Sequence, residues 1–175
     1  MPICKRIGIF LEGDDDKRFF EKILKPFFSN FYPDYIFNII RYRANKSDEI
    51  IKNYIKSFRD DEWKFFFLRD FDRGPCYSEI FNKTIECFEQ LEEDEIFIVC
   101  KSIEGWYLAG VNDIFLRERG VNEHFEDTEK ISKFGLKRLF PRGTTMTTIM
   151  INMLKDYDIN IAIEKNQSLR RTINK

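Results

Sequence analysis

A chain of 175 residues with 43% hydrophobic side chains is sized for one domain with a substantial core, and a second folded unit is not expected. Its 29 Lys plus Arg stand against 30 Asp plus Glu, so no global field draws it to nucleic acid or to a membrane surface. Cys4, Cys76, Cys87 and Cys100 lie far apart with no C-x-x-C pair, and His124 is the only histidine, which argues against a zinc finger or a histidine-rich metal site.

In chain order, Arg6-Ile7-Gly8-Ile9-Phe10-Leu11 is an apolar run closed by Glu12-Gly13, the pattern of a buried strand leaving into a loop. A helix should follow, with Asp14, Asp15 and Asp16 at its positive end and Phe19, Phe20, Ile23, Leu24 and Phe27 at helical spacing, until Pro26 and Pro33 punctuate its end. Residues 35–40 read as a second strand. Ser47 can cap a helix that buries Ile50, Ile51, Tyr54, Ile55 and Phe58, and residues 63–68 form a third strand ending at Asp70. Gly74-Pro75 reads as a turn, Ile80, Phe81, Thr84, Ile85 and Phe88 mark a helix, and residues 95–100 read as a fourth strand.

The β-α alternation implies an α/β fold: a mostly parallel central sheet, right-handed crossovers and helices on both faces. Residues 103–116 look helical with an interruption near Gly110, and further helices are expected around 130–140 and 145–157. Residues 159–163 read as a last strand, followed by a short basic helix from Ser168. Residues 86–127 hold 12 acidic and 3 basic side chains; residues 128–175 hold 10 basic and 4 acidic ones. That basic segment suits a phosphate backbone, although solvated helix faces explain most such charges singly. With no signal-peptide pattern and no apolar stretch of spanning length, the expectation is a cytoplasmic location, free thiols and no membrane partner.

Chemistry is suggested where strands one and three end. If strand two lies outside strand one, strands one and three are neighbours at a switch point, the edge where open α/β sheets bind ligands. Carboxylates of Glu12 and Asp70 brought together there repel by roughly 4 kcal/mol at about 4 Å and an effective dielectric of about 20, so the group calls for a cation or a shared proton. Magnesium suits such oxygen donors. Asp70 and Asp72, two apart, share a face of a continuing strand while Phe71 points the other way. A solvated turn is the other explanation of D-x-D. Glu104, in Ile103-Glu104-Gly105-Trp106-Tyr107-Leu108, falls just after strand four, where it completes a metal shell or stands exposed in a first helical turn. Trp106 and Tyr107 are expected in the core. Lys133, Lys137, Arg138 and Arg142, with Lys165, Arg170 and Arg171, are the candidate phosphate-binding residues. His124 stands among acidic residues with no partner apparent in the sequence.

Leu11-Glu12-Gly13-Asp14-Asp15-Asp16-Lys17 after the first strand and Asp70-Phe71-Asp72 after the third resemble the Toprim domain shared by type IA and II topoisomerases, bacterial primases, small ribonucleases of rRNA maturation and the overcoming-lysogenization-defect nucleases. Ile103-Glu104-Gly105-Trp106 is similar to the I-E-x-W segment of small stand-alone Toprim-like proteins. The resemblance covers residues 7–108. It implies a single Toprim-like (Rossmann-like) domain, its core at about 6–108 and a helical, basic extension at about 109–175.

By the same resemblance, Glu12, Asp70 and Asp72, with Glu104, carry catalysis, and these four with Asp16 hold Mg²⁺ or Mn²⁺. The implied activity is a metal-dependent phosphodiesterase on DNA or RNA, in defence against mobile elements or in nucleic-acid processing. The tyrosine domain of a topoisomerase and the zinc and helicase-binding parts of a primase have no counterpart here, which favours the stand-alone nuclease branch. The alternative is a non-catalytic metal-binding module that docks to a partner such as a separate ATPase. A phosphatase or nucleotide-handling enzyme of unrelated fold ranks last, for want of a nucleophile pattern and a phosphate loop.

Overall fold

Two sets of aromatic rings, one on each face, organise a four-stranded parallel sheet in this computed structural model, which describes residues 5–44, 47–71, 76–141 and 143–175. Strands β1 (Lys5–Leu11), β2 (Tyr35–Arg41), β3 (Lys64–Asp70) and β4 (Ile96–Val99) lie in the order β2-β1-β3-β4. β1 pairs with β2 from Lys5 opposite Tyr35, and with β3 from Ile7 opposite Lys64 to Phe10 opposite Phe67. Strand two is therefore outside strand one, and strands one and three are neighbours, as the sequence argument requires.

Burial follows position in the sheet. Ile7 to Leu11 on β1 and Phe65 to Leu68 on β3 are buried throughout, whereas edge strand β2 is at most half-buried. The period of two divides the rings between the faces. On one face Phe67 stacks against Phe10 (centroids 5.7 Å apart) and Tyr42 (4.9 Å), with Phe88 also at 4.9 Å. On the other, Phe66 meets Phe97 at 4.3 Å, Phe28 at 5.6 Å and Phe20 at 5.8 Å. Central strands covered on both sides have no solvent face to alternate with, which is why their sequences are continuous apolar runs.

The chain forms two compact units, one of Met1–Arg69 with Gly74–Ile98 and one of Asp70–Arg73 with Val99–Lys175. In the first, α1 (Asp14–Phe19) passes through a π turn (Phe20–Leu24) into α2 (Lys25–Phe31), so the helix does not end at Pro26. The Lys25 N–H reaches back five residues to the Phe20 carbonyl. That wider turn takes up the distortion a proline imposes on the turn before it, and Pro26 then sits in the first turn of α2, where a missing N–H is harmless.

Helix α3 (Asp48–Asp60) buries Ile51 and Ile55, but Ile50 and Tyr54 are each 43% exposed, so its apolar stripe is narrower than its sequence suggests. Ser47 takes the N-cap position of α3 without a side-chain hydrogen bond. Helix α4 (Tyr77–Cys87) carries the fully buried Thr84 toward its end. A 3₁₀ turn (Glu93–Glu95) precedes β4, so Glu95 is not part of the strand. The expected Gly74-Pro75 turn, Cys4, Asp72 and Arg142 lie outside the described residues.

The second unit holds α5 (Ile103–Ala109), α6 (Asp113–Arg117), α7 (Lys133–Leu139), α8 (Met146–Met153), α9 (Ile159–Lys165) and α10 (Gln167–Asn174). The expected strand at 159–163 is a helix. Ile-Asn-Ile-Ala-Ile alternates like a strand, but Asp158 Oδ1 accepts the N–H groups of Asn160 and Ile161 and starts a helix that buries Ala162. Asn112, Ser132, Thr145 and Asn166 cap α6, α7, α8 and α10 in the same way. Helices of five to eight residues are unstable alone, so these caps and tertiary packing hold them. Gly110 lies between α5 and α6, and its missing side chain makes room for Tyr157: an added Cβ would lie 2.5 Å from that ring, whose hydroxyl donates to the Trp106 carbonyl at 2.7 Å. Trp106 and Tyr107 are fully buried, as expected.

Candidate functional site

β1 leaves the sheet at Glu12, whose side chain is only 5% exposed. The Arg43 guanidinium lies 2.7 Å from Glu12 Oε2 and the Tyr42 hydroxyl donates to Oε1 at 3.0 Å, with the Leu68 carbonyl as an alternative acceptor at 3.2 Å. Burial first, and the Glu12 carboxylate second, push the Tyr42 phenol well above its usual range, so it keeps its proton and remains a donor at neutral pH.

The three aspartates behind Glu12 are each engaged. Asp14 pairs with Arg41, Asp15 with Arg18 at 2.6 Å, and Asp16, itself buried, accepts the Gly13 N–H at 3.0 Å across the first turn of α1. Carboxylates gathered at a strand end call for a cation or a shared proton to balance them. Here Arg18 supplies positive charge from within α1, and Arg41 and Arg43 supply it because β2 runs parallel to β1 and delivers its end and the following turn to the same end of the sheet. At Gly13 the backbone is extended (φ −147°) and an added Cβ would meet Asp16 Oδ2 at 3.6 Å, so neither strain nor packing demands that glycine.

In the second unit Asp70 Oδ2 accepts the N–H of Ile103 at 3.4 Å, and the next residue is Glu104. The Phe71 N–H bonds the Val99 carbonyl at 2.9 Å. Asp70 is thus set against the first turn of α5. Glu104 is 3% exposed, which overturns the exposed first-turn alternative, and Lys133 Nζ stands 3.8 Å from its Oε1. Gly105 is there for packing: a Cβ would fall 2.6 Å from the Thr128 carbonyl oxygen. Gly105→Ala is therefore expected to destabilise the fold by about 1–3 kcal/mol despite the better helix propensity of alanine. Chemical denaturation measures this, and a variant as stable as the parent would contradict the close approach.

Oxygen donors suit Mg²⁺ or Mn²⁺, and such donors are Glu12 and Asp16 in the first unit and Asp70 and Glu104 in the second. Among the described residues, however, no group of three or more His, Cys, Asp or Glu side chains is placed to hold one.

The candidate phosphate-binding residues differ in exposure and in partners. Lys137 and Arg138 are exposed on α7 beside Lys133, and Arg171 is exposed on α10. Arg170, also exposed, donates to the carbonyls of Ile163 (2.6 Å) and Glu164 (3.2 Å), closing the end of α9. Lys165 is half-buried and its carbonyl receives the Thr128 N–H at 2.9 Å. His124 has a partner after all: its Nδ1 lies 2.8 Å from Asp113 Oδ2, and that hydrogen bond holds the Asp113 carboxyl below its usual range. Cys76, Cys87 and Cys100 are free thiols. Burial, with a hydrogen bond to Glu129, pushes Cys100 up to about 11, so it stays a thiol at neutral pH and is a poor nucleophile. No helix among the described residues is long and apolar enough to cross a membrane.

Sequence reasoning missed a buried polar chain in the second unit. Trp106 Nε1 donates to Ser168 Oγ (2.9 Å), Ser168 Oγ to Asn166 Oδ1 (2.8 Å) and Asn166 Nδ2 to Thr128 Oγ1 (3.1 Å). No motif marks it, since Ser, Asn and Thr in helical connections are ordinary residues. Comparison with family models, curated proteins and solved structures finds no match to this chain.

Proposed function

We propose that this chain is a Toprim-like, Mg²⁺- or Mn²⁺-dependent phosphodiesterase acting on DNA or RNA. The observation that carries the reading is the sheet order. β1 and β3 are parallel neighbours, the chain leaves β1 at a buried glutamate, and β3 ends on Asp70. Carboxylates at the carboxyl ends of adjacent strands stand where α/β sheets bind ligands. In this reading Glu12, Asp70 and Asp72 hold the ion, and Asp16 and Glu104 assist. A bound divalent ion would supply an activated water and stabilise the leaving oxygen. The chain's own part is to orient those carboxylates: Tyr42 fixes Glu12 through its hydroxyl, the Gly13 N–H fixes Asp16, and the start of α5 fixes Asp70.

The test is incubation with supercoiled plasmid, single-stranded DNA and structured RNA, with Mg²⁺ or Mn²⁺ against EDTA. Cleavage is expected to need metal and to fall about a hundredfold or more in Asp70→Asn, which keeps the shape but loses a ligand charge. Full cleavage by that variant, or cleavage in EDTA, refutes the assignment. One observation favours the second reading, a non-catalytic module that docks to a partner such as an ATPase: Arg43 and Tyr42 already satisfy the Glu12 carboxylate. Metal binding without turnover on any of the three substrates is its signature.

A further inference from the structure

Helix α7 carries an apolar ring where solvent should meet a polar face. At about 100° per residue, Lys133, Lys137, Phe134 and Arg138 fall in that order within an arc of about 140° on one side of α7. Leu136, buried, points to the other side. Phe134 is 69% exposed, more than any other large apolar side chain among the described residues. The Arg138 guanidinium stands over its ring, 5.7 Å from the centroid. Lys133 borders the group on the side of the buried Glu104, 3.8 Å away.

An exposed phenylalanine flanked by three cations is ill suited to an apolar partner, which would have to desolvate those charges, and equally ill suited to bare phosphate, which has no use for the ring. One ligand chemistry satisfies both: a planar base with an anionic backbone beside it. We propose that this face of α7 is a base-stacking platform for single-stranded nucleic acid, with Phe134 stacking a base and Lys133, Lys137 and Arg138 taking the adjoining phosphates. The proposal deepens the phosphodiesterase reading by naming its substrate class, and rests on that reading for its setting. A duplex hides its base faces and meets only the cations.

The experiment is fluorescence anisotropy with the full chain in EDTA, where no metal-dependent cleavage intervenes, using short labelled DNA and RNA strands, the same DNA strand with abasic sites, and a duplex. Phe134→Ala is expected to weaken single-strand binding about tenfold and Phe134→Trp to restore it, since stacking is worth roughly one such factor per base. Abasic strands should bind about as weakly to the parent as normal strands bind to Phe134→Ala, and the ratio of DNA to RNA affinity shows which the platform prefers. Lys137→Ala with Arg138→Ala should weaken every ligand and flatten the salt dependence. Unchanged affinity in Phe134→Ala, abasic strands bound as tightly as normal ones, or no binding by the parent overturns the platform. A chain that binds in this pattern but never cleaves refutes the phosphodiesterase alone; one that cleaves while Phe134→Ala binds normally refutes the platform alone.

Discussion

Glu95→Ala is expected to lower the unfolding free energy by about 3–5 kcal/mol, the usual cost of removing one partner from a buried ion pair. Four donors converge on this largely buried carboxylate. Arg59 approaches through both terminal nitrogens, the Phe65 N–H reaches Oε1 at 3.1 Å and the Glu92 N–H reaches Oε2 at 2.9 Å. Alanine would strand the Phe65 N–H, a backbone donor on a central strand, and release Arg59 from a position in which it also bonds the Gln90 carbonyl and covers the Phe65 ring at 4.5 Å. Arg59→Ala should cost less, about 2 kcal/mol, because its side chain is 31% exposed and water screens part of the pairing. Urea denaturation with an unchanged slope reads both effects. If Glu95→Ala shifts the midpoint no further than the exposed Glu89→Ala, the carboxylate does not hold β3 to the turn before β4.

Asn166→Ala is the second large effect, about 3 kcal/mol, combining a lost N-cap with buried groups left unsatisfied. Asn166 is fully buried; its Oδ1 accepts from Leu169 N–H (3.0 Å) and Ser168 Oγ, and its Nδ2 donates to Thr128 Oγ1. Each donor has a defined acceptor, so the chain from Trp106 to Thr128 runs in one direction, and removing its middle breaks both sides. Asn166→Ser separates the two contributions. It keeps a neutral oxygen able to cap α10 but loses the donor to Thr128, and should fall between the parent and Asn166→Ala. A serine variant no more stable than the alanine one would show that the cap contributes nothing.

Most of the sheet was legible in the sequence because it lies on central strands. Buried on both faces, β1 and β3 need unbroken apolar runs, and a run of that kind followed by a carboxylate is conspicuous at Leu11-Glu12 and at Leu68-Arg69-Asp70. The helix extending past Pro26 and the helix at 159–165 were not legible, because each depends on a local device that competes with a stronger pattern: a π turn against a proline, and an Asp158 cap against an alternating strand motif. The candidate site was legible as residue types and partly as positions. Glu12, Asp16, Asp70 and Glu104 stand at element ends as expected, while the role of Gly105 was invisible, since its reason is a carbonyl 23 positions away at Thr128.

By itself, then, the sequence determined an α/β chain whose first and third strands end in acidic side chains, because hydrophobic period and strand burial are properties of neighbouring residues. Only the tertiary structure decided what those side chains meet. Arg43 on Glu12, Arg59 on Glu95, Lys133 beside Glu104 and Asn166 on Thr128 all join residues at least 25 positions apart. Such partners are chosen by chain return and by the cost of an unpaired buried polar group, neither of which leaves a trace in local pattern.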